Sequence, residues 1–116
     1  GQGCLSAFYY RALEDGTAIA DLLGNKELAR TYKERRYTLK RAFQSELWSE
    51  ERQMFRDGKP GQSSSPLGQW LPADKQMESF SSQVNLLAAA YGLVPEGSLS
   101  QLVDKVMASG PANLQP

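Results

Sequence analysis

The stretch Ala18-Ile19-Ala20-Asp21-Leu22-Leu23-Gly24-Asn25-Lys26-Glu27-Leu28-Ala29-Arg30-Thr31-Tyr32 decides the fold. Apolar residues run at helical spacing up to Leu23. Gly24 then stands where a left-handed, helix-ending residue belongs. Asn25 follows at once as an N-cap for a second run. A link of one or two residues leaves two helices no choice but to fold back as an antiparallel hairpin.

Outward from that turn, the preceding helix carries Leu5, Phe8, Tyr9, Ala12, Leu13, Gly16, Ile19, Ala20 and Leu23 as an expected inward stripe, with Ser6 as its expected N-cap. Gly16 falls on the stripe. A mid-helix glycine costs roughly 1 kcal/mol against alanine, so close approach of the second helix is the expected compensation. Tyr9 and Tyr10 occupy neighbouring faces, one to pack and one to point elsewhere. The second helix places Leu28, Ala29, Tyr32, Leu39, Ala42, Phe43 and Leu47 inward. Arg36 interrupts this stripe and, with Arg35, is expected to lay its stem on the surface with the head wet or paired.

The pattern changes at Trp48, which closes the stripe and is read as core. Residues 48–58 read as helix end, turn and a short extended piece. Gly58 through Lys75 collects Gly, Pro and Ser around Leu67, Trp70 and Leu71, a long loop of the kind that is usually functional or mobile. A third helix is expected from about Ser79 to Tyr91, stopped by Gly92, with Val84, Leu87, Ala88 and Tyr91 on one face. Leu86, Ala89 and Ala90 widen that face, so burial on most sides is expected. Ser98-Leu99-Ser100-Gln101 has the form of a capping box. It opens a fourth helix with Leu99, Leu102, Val103, Val106 and Met107 inward, ended by Gly110-Pro111.

The expectation is therefore an all-α chain: hairpin one over about 5–48, turn and loop over about 49–78, and hairpin two over about 79–110. Two hairpins can close as a four-helix bundle, or they can be two steps of a larger ring of hairpins.

Composition excludes several chemistries. The chain has no histidine and one cysteine, Cys4. Histidine bases, Ser-His and Cys-His pairs, histidine metal sites, cysteine zinc clusters and an internal disulfide are all ruled out. No metal or cofactor is expected. Thirteen basic residues balance thirteen acidic ones, so no net field draws nucleic acid or an anionic membrane. The cluster Arg35, Arg36, Lys40 and Arg41 is interleaved with Glu34 and Glu46 and reads as a solvated helix face. There is no apolar run long enough to span a membrane. Compartment is left unassigned.

The order of features is more specific than the fold. Ala7-Phe8-Tyr9-Tyr10-Arg11-Ala12-Leu13 is followed by Ala18-Ile19-Ala20-Asp21-Leu22-Leu23-Gly24 and Leu28-Ala29-Arg30-Thr31-Tyr32. Leu39-Lys40-Arg41-Ala42-Phe43 leads to Leu47-Trp48, and Phe55-Arg56-Asp57-Gly58 comes next. Then come Ser82-Gln83-Val84-Asn85-Leu86-Leu87-Ala88 and Tyr91-Gly92-Leu93-Val94-Pro95. Over about nine-tenths of the chain this resembles the six-hairpin (α/α)6 glycosidases, and the second half is similar to the α-L-rhamnosidase barrel. The resemblance implies a toroid of hairpins that hydrolyses terminal rhamnosides by inversion when the full barrel is present. Its partner is then a carbohydrate.

Two departures qualify what carries over. Val84 stands near the place where family members often have a histidine after Ser-Gln. The family's acidic motif, Asp-Arg followed by Glu-Arg, is matched neither by Lys33-Glu34-Arg35-Arg36 nor by Ser49-Glu50-Glu51-Arg52. By this resemblance the general acid lies before the stretch and the general base after it.

Inversion needs two carboxyl groups roughly 6.5–9.5 Å apart across one bond. Glu14 and Asp15 are adjacent on a helix and splay apart, Glu50 and Glu51 are adjacent in a turn, and Asp57 and Glu78 have no partner that sequence can place. No catalytic residue is assigned. The candidate substrate contacts are Trp70, Gln83 and Asn85. Trp70 offers an indole face to a sugar ring or an anchor for its loop. Gln83 and Asn85 offer hydrogen bonds to a sugar or caps for the third helix. A non-enzymatic helical module that binds a partner, or forms a homo-oligomer through exposed helix faces, is the competing reading.

Overall fold

A computed structural model describes residues 2–58 and 79–109. Among the described residues, four helices, α1 (Gln2–Leu22), α2 (Lys26–Leu47), α3 (Ser82–Tyr91) and α4 (Leu99–Ser109), are accompanied by two short strands, β1 (Trp48–Ser49) and β2 (Met54–Phe55). The fold is all-α in substance, and the extended piece expected after Trp48 is the β1–β2 hairpin, antiparallel with Trp48 opposite Phe55.

The turn between α1 and α2 forms as its residues dictate. Gly24 takes φ 75°. Its N–H donates to the Asp21 carbonyl at 3.1 Å, and the Asn25 N–H donates to the Ala20 carbonyl at 2.9 Å. These are the paired bonds of a Schellman ending. Asn25 then caps α2, its side-chain oxygen accepting from the Leu28 N–H at 3.1 Å. One residue thus closes one helix and opens the next. Along the hairpin, Gly16 is the point of close approach, since a Cβ built there sits 3.2 Å from the Tyr32 ring.

Several expectations about helix faces are corrected. α1 begins at Gln2 rather than after a Ser6 cap, because its first turn is held from outside: the Gly3 N–H donates to the Asp57 carbonyl at 2.7 Å. The buried face of α1 is Gly3, Ala7, Tyr10, Leu13, Thr17 and Ala20. Leu5, Phe8, Tyr9, Ile19 and Leu23 are exposed. The helix is apolar almost all round, so periodicity alone could not choose the side. Tyr10 is the tyrosine that packs. Likewise Leu99 and Met107 of α4 face solvent while Leu102 and Val106 are buried. α3 is not buried on most sides: Leu86 and Ala90 are exposed. Its start is also later than expected, at Ser82, with Ser81 as the cap.

Arg36 finds a partner across the hairpin. Its guanidinium lies 3.7 Å from the Glu14 carboxylate and 5.9 Å from the Tyr10 ring centroid. That resolves the charge on the apolar stripe, with the stem half-buried.

The core lies where the two hairpins meet the β ribbon. Phe43 and Trp48 each place a ring centroid 4.8 Å from that of Phe55, tilted or edge-on, the geometry that aromatic quadrupoles favour. Phe55 is fully buried. Val84 and Ala88 from α3, Leu93, and Leu102 and Val106 from α4 complete the cluster. The α3–α4 link is fixed by Gly92 at φ 78° and by the Leu93 N–H donating to the Ala88 carbonyl at 2.9 Å. Gln44 of α2 donates to the Leu93 carbonyl at 2.8 Å and ties this link to the first hairpin.

Candidate functional site

α1 and α3 start at the same end of the molecule. A Cβ on Gly3 would lie 2.7 Å from a Val84 methyl. Further along, the Phe8 ring sits 6.5 Å from the Tyr91 ring, and the Arg11 guanidinium sits 5.7 Å above it. Advancing from residue 3 to residues 8 and 11 on α1 therefore advances from 84 to 91 on α3. The two helices are parallel neighbours in direct contact, whereas α1 and α2 are antiparallel.

Asp57 joins the two N-terminal ends. One carboxylate oxygen accepts from the Ser81 N–H at 3.0 Å and the Ser81 hydroxyl at 2.6 Å. The other accepts from the Ser79 hydroxyl at 2.8 Å. Its own N–H donates to the Ser79 carbonyl at 2.8 Å, and its carbonyl holds Gly3. Ser81 in turn caps α3, accepting from the Val84 N–H at 3.3 Å. A negative charge at this end also suits the helix dipole. Sequence placed Asp57 at the end of the extended turn. What it could not show was that Ser79 and Ser81 return to meet it.

Asn85 is fully buried. Its side-chain oxygen accepts from the Phe55 N–H at 2.8 Å, and its NH2 donates to the carbonyls of Phe55 at 3.1 Å and Ser81 at 2.8 Å. The amide acts as a surrogate strand for β2. This corrects the reading of Asn85 as a sugar contact, because its polar atoms are committed to backbone and are closed off from solvent. Gln83 lies on the exposed side of the first turn of α3. Trp70 falls outside the described residues.

Several of the described carboxylates are already held by neighbouring groups. Glu14 and Asp15 pair with Arg11 at 4.0 and 3.3 Å, and Glu14 also with Arg36. Glu50 accepts from Gln53. Asp57 is bound as above. The clefts include a groove of about 330 Å³ along Tyr37, Thr38, Arg41, Ala42 and Ser45 of α2. A smaller one of about 70 Å³ lies between the start of α1 and the end of α2, with Glu46 at its edge. Neither brings two acids together. Among the described residues no cluster of His, Cys, Asp or Glu suits a metal ion, and no helix is long and apolar enough to cross a membrane.

Each hairpin thus brings one helix alongside its parallel counterpart in the other, the arrangement of a hairpin-built all-α domain. The chain belongs to the bacterial alpha-L-rhamnosidase six-hairpin glycosidase domain family, whose model matches residues 3–112. No curated protein and no solved structure matches it.

Proposed function

We propose that this chain forms a wall of a glycoside-hydrolase barrel that hydrolyses terminal α-L-rhamnosides with inversion. The catalytic carboxylates come from outside these residues, and Gln83 faces the sugar. Family membership supports the substrate class. The observation that carries the structural part is the parallel α1–α3 step.

In an up-down-up-down bundle the parallel helices are diagonal and antiparallel ones are neighbours. Here the parallel pair touches, as successive inner helices of a ring must. Azimuth supports the same geometry. At 3.6 residues per turn each residue advances about 100° round a helix axis. On α1 the exposed apolar side centred on Leu5, Ala12, Ile19 and Leu23 lies about 120° round from the side that meets α3. On α3 the exposed Leu86 and Ala90 lie roughly 120° round, in the opposite sense, from the Val84–Tyr91 side that meets α1. Neighbours 120° apart, with the turn always toward one centre, describe a hexagon of inner helices.

The bisector of those angles points to the hollow of the ring. Phe8 and Asp15 of α1 and Gln83 and Leu87 of α3 fall near it. Gln83 is the one at the shared N-terminal end, beside the Asp57 junction. A side-chain amide there can both donate to and accept from sugar hydroxyls.

The test uses aryl α-L-rhamnosides. The chain by itself is expected to give no turnover above buffer. A polypeptide carrying it within six hairpins is expected to release L-rhamnose with inverted anomeric configuration, followed by NMR. Robust hydrolysis by the 116-residue chain, or release of a different sugar by the complete barrel, defeats the reading.

A further inference from the structure

Charge cancels over the whole chain but not over one side of α2. At about 100° per residue, Lys26, Arg30, Lys33, Tyr37 and Arg41 fall within roughly 80° of one another. All five are exposed. No carboxylate shares that sector, and Glu27 and Glu34 border it on the outward side. Among the described residues the α2 cation that reaches a carboxylate is Arg36, on a different side of the helix. Helix stability does not account for the stripe. Like charges three or four residues apart repel. The helix dipole favours cations in the last turn, where α2 has none.

This side of α2 already has its neighbour. Gln44 lies about five turns beyond Lys26, on the same side, and reaches the Leu93 carbonyl between α3 and α4. The second hairpin is thus in place there and still leaves the four cations exposed. The small cleft with Leu39 and Glu46 opens on the other side of α2, where a preceding hairpin of a ring would approach. Closing the ring therefore does not cover the stripe.

The stripe runs into the groove of about 330 Å³, because Tyr37 and Arg41 belong to both. That volume lies at the lower end of the ligand-pocket range of about 300–1,000 Å³. The Arg41 guanidinium lies 5.8 Å from the Tyr37 ring centroid. A guanidinium that lies over a ring by its face keeps the donors on its edge free for a carboxylate fork. Thr38 and Ser45 add two hydroxyls that both donate and accept. Tyr37 is 64% exposed and offers ring surface to the C–H face of a sugar.

We propose that this outward side of α2 anchors the carboxylated sugars of an acidic polysaccharide, on the outside of the barrel wall and apart from the ring hollow. The carbohydrate half rests on the family reading above; the carboxylate half rests on the unpaired cations. Arg41 takes the carboxylate, Tyr37 the ring and the two hydroxyls the sugar hydroxyls. Arg30, Lys33 and Lys26 continue the attraction along the helix toward the next acidic units. A single-stranded nucleic acid instead calls for a series of aromatic rings on which successive bases stack.

The test is titration of the 15N-labelled chain with an oligogalacturonate and, in parallel, with its neutral methyl ester. The expected result is a set of amide shifts at Tyr37, Thr38, Arg41 and Ser45, with binding that weakens as salt is added and is lost with the ester. Arg41→Ala is expected to weaken binding about tenfold. Arg41→Lys keeps the charge without the fork and falls between. Arg30→Ala with Lys33→Ala flattens the salt dependence. These positions are exposed, and circular dichroism checks that each variant is folded. Equal binding of the ester, shifts confined to other helices, or an Arg41→Ala variant that binds as wild type overturns the proposal. So does a DNA oligonucleotide or an anionic lipid vesicle that binds the stripe more tightly than the oligogalacturonate at equal charge. The two ideas fail separately. A complete barrel that releases rhamnose while the chain ignores oligogalacturonate loses the anchor alone; one that binds it through Arg41 and releases another sugar keeps the anchor and loses the rhamnoside.

Discussion

One oxygen of the Asp57 carboxylate holds both the backbone N–H and the hydroxyl of Ser81. This single contact fixes where α3 begins. Asp57 also binds Ser79 and, through its carbonyl, Gly3. The start of both inner helices therefore depends on one residue. Hydrogen bonds to a charged group contribute about 1.5–3 kcal/mol each, and those at one carboxylate do not add. Asp57→Ala is expected to destabilise the chain by about 2–3 kcal/mol. Urea unfolding measures it. Asp57→Asn keeps the shape and part of the bonding and should cost less; equal loss in the two variants would contradict the assigned role.

Asn85 behaves as a strand edge supplied by a side chain. Asn85→Leu removes the partners of the Phe55 N–H and carbonyl and leaves both buried. An unsatisfied buried backbone group costs about 1–3 kcal/mol. The expected loss is about 2–4 kcal/mol, together with faster amide exchange at Phe55. If Asn85 were a surface sugar contact instead, this substitution would leave stability unchanged.

The two interior glycines of α1 should differ in their response to alanine. At Gly3 a methyl meets the Val84 side chain at 2.7 Å and the Asp57 carbonyl oxygen at 2.9 Å. Backbone cannot move aside cheaply, so Gly3→Ala is expected to cost about 1–3 kcal/mol. At Gly16 the neighbour is the edge of the half-buried Tyr32 ring at 3.2 Å. A small ring shift, offset by the better helix propensity of alanine, leaves Gly16→Ala nearly neutral. Paired denaturation curves check the order, and a larger effect at Gly16 would reverse it.

Phe55 sits between Phe43 and Trp48 and beneath α3 with no exposure. Phe55→Ala is expected to cost about 3–5 kcal/mol, the range for buried aromatic truncations. The loss should appear as a drop in urea midpoint with blunted near-UV circular dichroism from Trp48. Unchanged Trp48 ellipticity would place the aromatic cluster elsewhere.

In a complete barrel, Gln83→Ala is expected to raise KM for aryl rhamnosides several-fold. A stability loss without a kinetic effect would make Gln83 a structural residue of α3.

The sequence by itself determined the helices and most of their ends. Gly24, Asn25 and Gly92 act through their own backbone preferences and through atoms within a few residues, so local chemistry was enough. It also placed Trp48 and Phe43 in the core and the extended piece after them. What it could not determine was which side of α1 turns inward, since Leu5, Phe8 and Ile19 share one helix face as Ala7, Tyr10 and Leu13 share another, and the two faces differ in what lies opposite. Asp57, Ser79 and Ser81 are a similar case: their meeting depends on the chain returning after more than twenty residues, which no local rule encodes. Tertiary packing alone decided that α1 and α3 touch as parallel neighbours, because that contact follows from where the β ribbon delivers the second hairpin.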